Sequence, residues 1–352
     1  MTRVLFVARN RYRLPLSPSL SLKWDALGRV FDLRVVAASR DRSRGDSTFR
    51  LRPRTPFDGP LFWLSLPWRI RHEAGAFRPD AIVAQSPFEA AAALAARTGV
   101  PVIVELHGDW RTFGRLYGSG ARRAIARVAD AVGTWAVRRA AKVRAVSPFT
   151  ARLALELGRE PAGVFPAFMD LEPFAAPPTP LPTDPVALFV GVLEPYKNID
   201  GLAEGWRRAR PNAELRIVGK GTRTDVVAAL VRDGLATWQP ELSTAEVVRA
   251  LDEASVLILP SRSEGMGRVV IEAQLRGRPV LGSNVGGIPD LVTDGVDGVL
   301  FEPTPEAIAG ALAVLDDHAE LERLAANARA AGERWLTTAD EYASRMRDVV
   351  LA

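Results

Sequence analysis

The chain has 352 residues, no cysteine, 47% apolar and 25% charged side chains, the composition of a globular protein of about two domains. Without cysteine, a disulfide-stapled scaffold, thiolate metal sites and a thiol nucleophile are excluded. The net charge of +5 conceals an asymmetry, because residues 1–170 hold 28 Lys and Arg against 14 Asp and Glu while residues 171–352 hold 18 against 27, so the first half is expected to face an anionic ligand or surface.

In chain order, short β-branched runs alternate with helical-period segments, which predicts parallel α/β architecture with right-handed crossovers. In the first half the runs predict strands at Arg3–Ala8, Leu33–Ala37, Ala81–Ala84, Val102–Leu106 and Val143–Ser147. Helices are expected at Ser19–Val30, Pro87–Arg97 and Ser119–Arg139. The arginines of Arg9–Arg13 and Arg40–Arg54 are read as basic loops. Leu61–Ile70, which mixes aromatics with arginine, reads either as an interfacial segment or as a core helix. Six prolines between Pro173 and Pro185 predict a domain linker, since proline removes donors and fixes φ. Beyond it, strands are expected at Val186–Val190, Leu215–Val218, Val256–Leu259 and Val280–Gly282. Helices follow at Ile199–Arg208, Thr244–Ala254 and Gly267–Arg276, with a final helix at Thr338–Leu351 that packs on either domain. No apolar run reaches the length of about 18 residues needed for a span, and the N-terminus reads as neither a signal core nor a cleavage site. The expected location is cytoplasmic.

The most specific stretch runs from Leu259 to Val292. It reads as a buried strand ending near Ser261, a glycine turn, a helix, a second strand and a Gly-Gly turn. Glu264 precedes the helix and Glu272 lies eight positions on, which helical rise alone would separate by roughly 12 Å. Gly265 and Gly267 allow close backbone approach, and the first turn after them offers N–H groups to an anion. Phe189–Gly201 reads as strand, turn and helix, with Lys197 as a cation beside the turn. Lysine occurs at only four positions, Lys23, Lys142, Lys197 and Lys220. Leu215–Gly221 is a strand running into a glycine turn. His107, Gly108 and Asp109 follow a buried strand, where α/β sheets place ligands. There is no G-x-G-x-x-G and no Asp-x-Asp, so a dinucleotide fingerprint is absent.

These blocks together resemble the signature of retaining glycosyltransferases of family 4: Pro-Ser, then Glu-Gly-x-Gly, a second glutamate eight residues after the first, Gly-x-Pro-Val and Gly-Gly-Ile-Pro, extending through Asp294–Gly298 and Phe301–Pro303. The resemblance implies a GT-B fold, two Rossmann-like doubly wound α/β domains facing across a cleft. The implied boundaries are residues 1–172 for the acceptor domain, 173–185 for the linker, 186–336 for the nucleotide-sugar donor domain and 337–352 for a C-terminal helix packing back on the first domain. It also implies site roles. Glu264 matches the residue at the donor sugar hydroxyls and Glu272 the residue at the ribose. Gly265, Met266, Gly267, Arg268 and Val269 match the diphosphate cradle, Gly191 and Gly219 the glycine turns, and Lys197 the lysine that neutralises the leaving diphosphate. His107 matches the active-site histidine, and Asp109 is the acceptor-side candidate. The family's arginine after the first donor-domain strand is Val192 here. Arg268 is the candidate replacement, set against a reading in which it only lies over the surface. The family's Gly-Gly loop after the first strand is replaced by Asn10–Pro18.

The activity so implied is metal-independent, retaining transfer from a UDP- or GDP-linked sugar to an acceptor hydroxyl, in the synthesis of a cell-surface polysaccharide or glycolipid. The sugar nucleotide is a substrate and no cofactor is expected. The partners expected are the donor, a glycan, lipid-linked or small-molecule acceptor, and anionic membrane met peripherally by the basic half at the inner face of the plasma membrane. Nucleic acid is not expected, because no recognition module accompanies the arginines. The alternatives are a sugar-nucleotide hydrolase or epimerase, and a catalytically silent nucleotide-sugar binding protein of the same fold.

Overall fold

A computed structural model describes residues 1–55, 58–112, 116 and 125–352. The chain divides into two compact units, Met1–Asp170 with Thr337–Ala352, and Leu171–Leu336.

The first unit contains β1 (Arg3–Tyr12), α1 (Pro18–Val30), β2 (Asp32–Ser39), β3 (Phe49–Arg52), α2 (Asp58–Phe77), β4 (Ala81–Ala84), α3 (Pro87–Ala95), β5 (Val102–Leu106), α4 (Ala126–Arg139), β6 (Lys142–Ala145), α5 (Pro148–Leu155) and β7 (Gly163–Val164). Its strands form one parallel sheet in the order β3-β2-β1-β4-β5-β6-β7. Because both faces are covered, the strands read as continuous apolar runs instead of alternating ones. Helices α3 and α5 start alike. Ser86 and Ser147 cap the first-turn N–H groups of Phe88 and Thr150, and proline follows at the first helical position, where its missing donor costs nothing. One face buries Phe62, Leu66, Ile70, Ala90, Ala93, Ala136 and Val137 from α2, α3 and α4 against the sheet. The opposite face buries Trp24 and Leu27 of α1 with Phe6, Phe31 and Phe49.

The second unit contains β8 (Val186–Val190), α6 (Ile199–Ala209), β9 (Glu214–Val218), α7 (Thr224–Arg232), β10 (Thr237–Gln239), α8 (Thr244–Asp252), β11 (Val256–Leu259), α9 (Arg268–Leu275), β12 (Val280–Ser283), β13 (Gly298–Phe301), α10 (Pro305–Ala311) and α11 (His318–Glu333). Its parallel sheet has the order β10-β9-β8-β11-β12-β13. The chain then returns to the first unit as α12 (Ala339–Leu351), started by a capping box between Thr338 and Glu341. Tyr342, Ala343, Met346 and Val349 complete the α1 face of the core. Lys142 Nζ donates to the carbonyls of Val349 and Val350 at 3.0 Å each, satisfying the end of α12.

Four differences from the sequence reading have physical causes. The strands β3, β7, β10 and β13 were not foreseen: they hold two to four residues, all four are sheet edges, and β3 alternates Phe and Leu with arginine, so that it read as basic loop. β1 runs on through the arginines to Tyr12, so Arg9–Tyr12 is strand. Of the helix expected over 119–139, residues 119–124 lie outside the described residues and Ala126–Arg139 is helical. The Pro-rich 173–185 segment, read only as a linker, is fastened along the second unit, because three arginines of that unit pin its oxygens. Arg329 donates to Ala175 and Ala176 at 2.7 Å, Arg276 to Ala176 at 2.6 Å, and Arg278 to Thr179 Oγ1 at 2.5 Å and to the Pro180 carbonyl at 3.3 Å. An extended proline-rich chain has no internal hydrogen bonds, so its oxygens are open to such donors. Among the described residues, no helix is long and apolar enough to cross a membrane.

Candidate functional site

In the second sheet the strand order reverses between β8 and β11, and doubly wound sheets open a crevice at the carboxyl ends of such strands. The two loops that leave these strands, 191–198 and 260–267, carry Lys197 and Glu264. Lys197 closes a 3₁₀ turn, Pro195–Lys197, after which Asn198 adopts left-handed backbone at φ 58°. Asparagine tolerates that conformation, and its Nδ2 is fixed to the Pro303 carbonyl at 3.0 Å. The turn buries the lysine. Its chain lies against Gly191, where an added Cβ would stand 3.6 Å from Lys197 Cε. Its Nζ donates to Glu264 Oε2 at 2.6 Å and sits 5.5 Å from the Tyr196 ring centroid.

Glu264 is held from behind by backbone. Its carbonyl accepts from Gly287 N at 3.0 Å, and the Gly286–Gly287 turn packs directly on the loop. A Cβ on Gly286, where φ is 60°, would stand 2.1 Å from the Glu264 oxygen, and one on Gly287 would stand 2.3 Å from the Gly265 oxygen. Ser283 Oγ donates to the Ser261 carbonyl at 2.5 Å, tying the end of β12 to the start of the same loop.

Gly267 is left-handed and α9 begins only at Arg268. The separation of roughly 12 Å expected from helical rise is therefore corrected: only Arg268 to Glu272 is helical, a rise of about 6 Å. Those two residues pair, Arg268 Nε to Glu272 Oε1 at 2.5 Å, with Arg268 half exposed and Glu272 buried. Burial pushes the Glu272 carboxyl above its ordinary pKa, and the charge of Arg268 opposes that shift. Each candidate cation is thus held by a candidate carboxylate. A diphosphate competing for Lys197 and Arg268 would release Glu264 and Glu272 to accept from hydroxyl groups. Met266 is buried and Val269 lies in the first turn of α9, while Val192, at the arginine position, is exposed.

Gly191 and Gly219 meet backbone to backbone. A Cβ on Gly219, where φ is 146°, would collide with the Gly191 oxygen at 1.8 Å. Trp238 Nε1 donates to the Gly219 carbonyl at 2.9 Å, so this tryptophan braces the glycine turn. A cavity of about 510 Å³ lies between α8 and strands β8–β10, lined by Arg216, Trp238, Gln239 and Glu246 among others. It contains none of the candidate site residues.

His107 and Asp109 belong to the first unit, after β5. Glu105, on β5, is buried against Arg144 of β6, and its carboxyl accepts from Arg144 Nη1. Arg144 also donates to the carbonyls of Phe165 and Pro166 at 2.7 and 2.5 Å. Burial alone would raise the Glu105 pKa, but the Arg144 charge, helped by His107, holds it down at about 2. His107 Nε2 lies 3.8 Å from Glu105 Oε2, and its ring is more than a third exposed. Asp109 Oδ1 accepts from the backbone N of Arg111 at 3.0 Å and from Arg111 Nε at 2.8 Å. Its carboxylate is therefore committed locally, to an arginine that also reaches Glu156 at 3.1 Å.

Sequence reasoning passed over Asn198 and Glu105, and it noted the Gly286–Gly287 turn without giving it a role in placing the loop of Glu264. Asn198 and the glycine pair had a signal in the motif itself, since Asn follows Lys197 directly and a Gly-Gly pair rarely stands in a loop without a close approach. Glu105 gave none beyond a lone charge inside a buried apolar strand.

Two family models match the chain: Glycosyltransferase Family 4 over residues 21–173 and Glycosyl transferases group 1 over residues 174–331. The chain belongs to the family 4 glycosyltransferases. Its fold is GT-B. Curated relatives of this glycosyltransferase include a D-inositol 3-phosphate glycosyltransferase of Segniliparus rotundus, 37% identical over 49% of this chain and 42% of the relative. A glycogen synthase of Mycobacterium tuberculosis is 31% identical over 72% of this chain and 64% of the relative. The match spans less than half the length of the first of these. Among solved structures, the sucrose-phosphate synthase of Thermosynechococcus elongatus has a TM-score of 0.76 at 19% identity, covering 98% of this chain and 97% of that one. Anabaena HepE in complex with UDP-glucose has a TM-score of 0.72 at 19% identity, covering 98% and 99%.

Proposed function

We propose that this glycosyltransferase moves a sugar from a UDP- or GDP-linked donor to an acceptor hydroxyl with retention of anomeric configuration and without a metal. The product is assigned to a cell-surface polysaccharide or glycolipid. The observation that carries the reading is the pairing of buried Lys197 with part-buried Glu264 on the two loops that flank the strand-order reversal. The glycosyltransferase and glycogen synthase activities of the relatives and the UDP-glucose bound by HepE support it.

In this reading the bond from the anomeric carbon to the diphosphate oxygen breaks, and a bond to the acceptor oxygen forms on the same face. The acceptor proton passes to an oxygen of the leaving diphosphate. Lys197 stabilises the charge that develops there, a preorganised cation already in place before the reaction. Arg268 is the second cation. Glu264 accepts from the donor sugar hydroxyls and Glu272 from the ribose, while the backbone from Gly265 to Val269 cradles the phosphates, with Gly191 and Gly219 leaving room. His107 contacts the transferred sugar, and Asp109 stands on the acceptor side. The absence of any Asp-x-Asp supports a metal-free clamp.

The test is a thermal-shift panel of UDP, GDP, ADP and their sugars, followed by turnover with the donor so chosen and NMR of the product anomer, with and without EDTA. A melting shift, a retained anomer and indifference to EDTA are expected. Failure of every nucleotide to shift the melt, or an inverted product, overturns the reading. Free sugar without acceptor would mark a hydrolase, and binding without turnover a silent binding protein. Loss in EDTA that is restored by Mn²⁺ would overturn the metal-free clause.

A further inference from the structure

Helices α2, α3 and α4 form one layer on the same face of the first sheet, with α3 packed between the other two. Their inward sides are core. Their outward sides are unusual for a charged protein. On α2, Phe62, Leu66 and Ile70 are buried, but Leu61, Leu64 and Trp68 point out, with Leu64 79% and Trp68 69% exposed. On α4, Val128, Val132 and Trp135 recur at a spacing of four and three residues and are exposed, Val128 by 64% and Trp135 by 45%. Helix axes packed side by side stand about 8–10 Å apart, so the two stripes are separated by about the width of one helix, α3, whose own exposed residue is Ala95.

Charge selects the occupant. The exposed residues of these three helices include Arg71, Arg127, Arg138 and Arg139 and, among the described residues, no Asp or Glu. Set against itself in a second copy, the face would bring four arginines toward four arginines with no carboxylate to pair them, as a two-fold contact requires like patches to meet. An anionic lipid surface instead satisfies both parts. Apolar and tryptophan side chains enter the boundary between headgroups and acyl chains, while arginines meet lipid phosphate. The helices are not spans, so they lie on the membrane without crossing it. We infer that the outward face of α2, α3 and α4 docks the protein peripherally on anionic membrane.

The test is co-sedimentation of the full chain with vesicles of phosphatidylcholine alone or mixed with phosphatidylglycerol, with tryptophan fluorescence followed in parallel. Expected are binding to the mixed vesicles that weakens with salt, a blue shift in emission, and much weaker binding to phosphatidylcholine alone. The double variants Leu64→Glu with Trp68→Glu and Val128→Glu with Val132→Glu should each bind about tenfold or more weakly, because each places charge where apolar contact is needed. Both should keep the wild-type melting temperature, since these side chains are exposed. Arg138→Gln with Arg139→Gln should lower the preference for phosphatidylglycerol. The inference is overturned if the full chain ignores both vesicles or if the glutamate variants bind like wild type. It is equally overturned if size exclusion shows a dimer that those variants make monomeric while vesicles have no effect.

Discussion

Lys197 Nζ and Glu264 Oε2 are 2.6 Å apart, and each side chain stands at the exit of one of the two strands between which the second sheet reverses its order. Because they leave adjacent strands, β8 and β11, the pair is set by the sheet itself. A group lost from either loop leaves the other charge without its partner. Lys197→Met and Glu264→Gln should each lower the transfer rate by about 10²–10³, the range for loss of one preorganised electrostatic contact. The double variant should be no slower than the slower single, as for residues acting as a unit. Initial rates on saturating donor measure this, and a Lys197→Met enzyme within threefold of wild type would contradict the assigned role.

Arg268 and Glu272 pair one helical turn apart. If the arginine turns to the donor phosphates, Arg268→Ala weakens nucleoside diphosphate about tenfold, the value of roughly 1.4 kcal/mol, while the affinity for the bare nucleoside stays the same. Glu272→Gln should weaken both ligands alike, because the ribose is common to them. Calorimetric titration of the two ligands against both variants separates these roles. Equal affinities across wild type and Arg268→Ala would return that arginine to the surface.

Gly287 touches no ligand group in the proposed site, yet it sets the position of the loop that does. Alanine there would drive a Cβ to 2.3 Å from the Gly265 oxygen. Gly287→Ala should cost about 1–3 kcal/mol of stability and abolish the melting shift given by nucleotide. Gly295→Ala is the control, since φ is 68° there but no atom stands within 4 Å of the added Cβ. It should lower the melting temperature slightly and keep the nucleotide response.

The buried Glu105–Arg144 pair predicts a different behaviour. Arg144→Met should destabilise by roughly 3–5 kcal/mol, because it strands a carboxylate in the core, whereas Arg144→Met with Glu105→Leu should recover much of that loss. The Glu105 carboxyl is held down at about 2, below its ordinary value near 4.5. Its contribution is therefore complete above that value and is lost as the pH falls from 4.5 toward 2. Chemical denaturation at pH 7 and pH 3 should show Arg144→Met closer to wild type at the lower pH.

Glu89 runs the other way. It is buried at the start of α3, where Oε1 accepts from Arg9 N at 2.9 Å and the other oxygen is bonded to Ser86. Burial pushes its carboxyl up to about 7. The folded protein therefore binds this proton more tightly than the unfolded chain does, and stability falls as the pH rises from 4.5 through 7. Glu89→Gln should match wild type near pH 4.5 and exceed it at pH 8, by an amount on the order of 1–3 kcal/mol. Melting curves across that range decide it, and parallel curves for the two proteins would refute it.

The buried central strands could be read from the sequence because burial on both faces leaves a plain apolar run. Ala81–Ala84, Val102–Leu106, Val186–Val190 and Val256–Leu259 coincide with the strands found. Strands β3 and β10 could not, since an edge or three residues of Thr-Trp-Gln leave no period to detect. In the site, the motif pointed to Lys197, Glu264, Arg268 and Glu272, but nothing in a linear pattern tells that these four would pair off two by two. That outcome depends on where Gly267 ends the turn and on how Asn198 directs the lysine inward. The anchoring of the Pro-rich segment was hidden for a related reason: the proline count was informative about backbone, while the arginines that hold it are about 100 residues or more farther along the chain.

The return of α12 to the first unit makes the second unit, in topological terms, an insertion within the first. During synthesis Leu171–Leu336 is complete before Tyr342, Met346 and Val349 have emerged to close the α1 face. The second unit is thus able to complete its fold before the first unit is whole, although it follows it in the sequence. Until α12 arrives, the α1 face of the first unit lacks Tyr342, Ala343, Met346 and Val349, four of the buried side chains of that core.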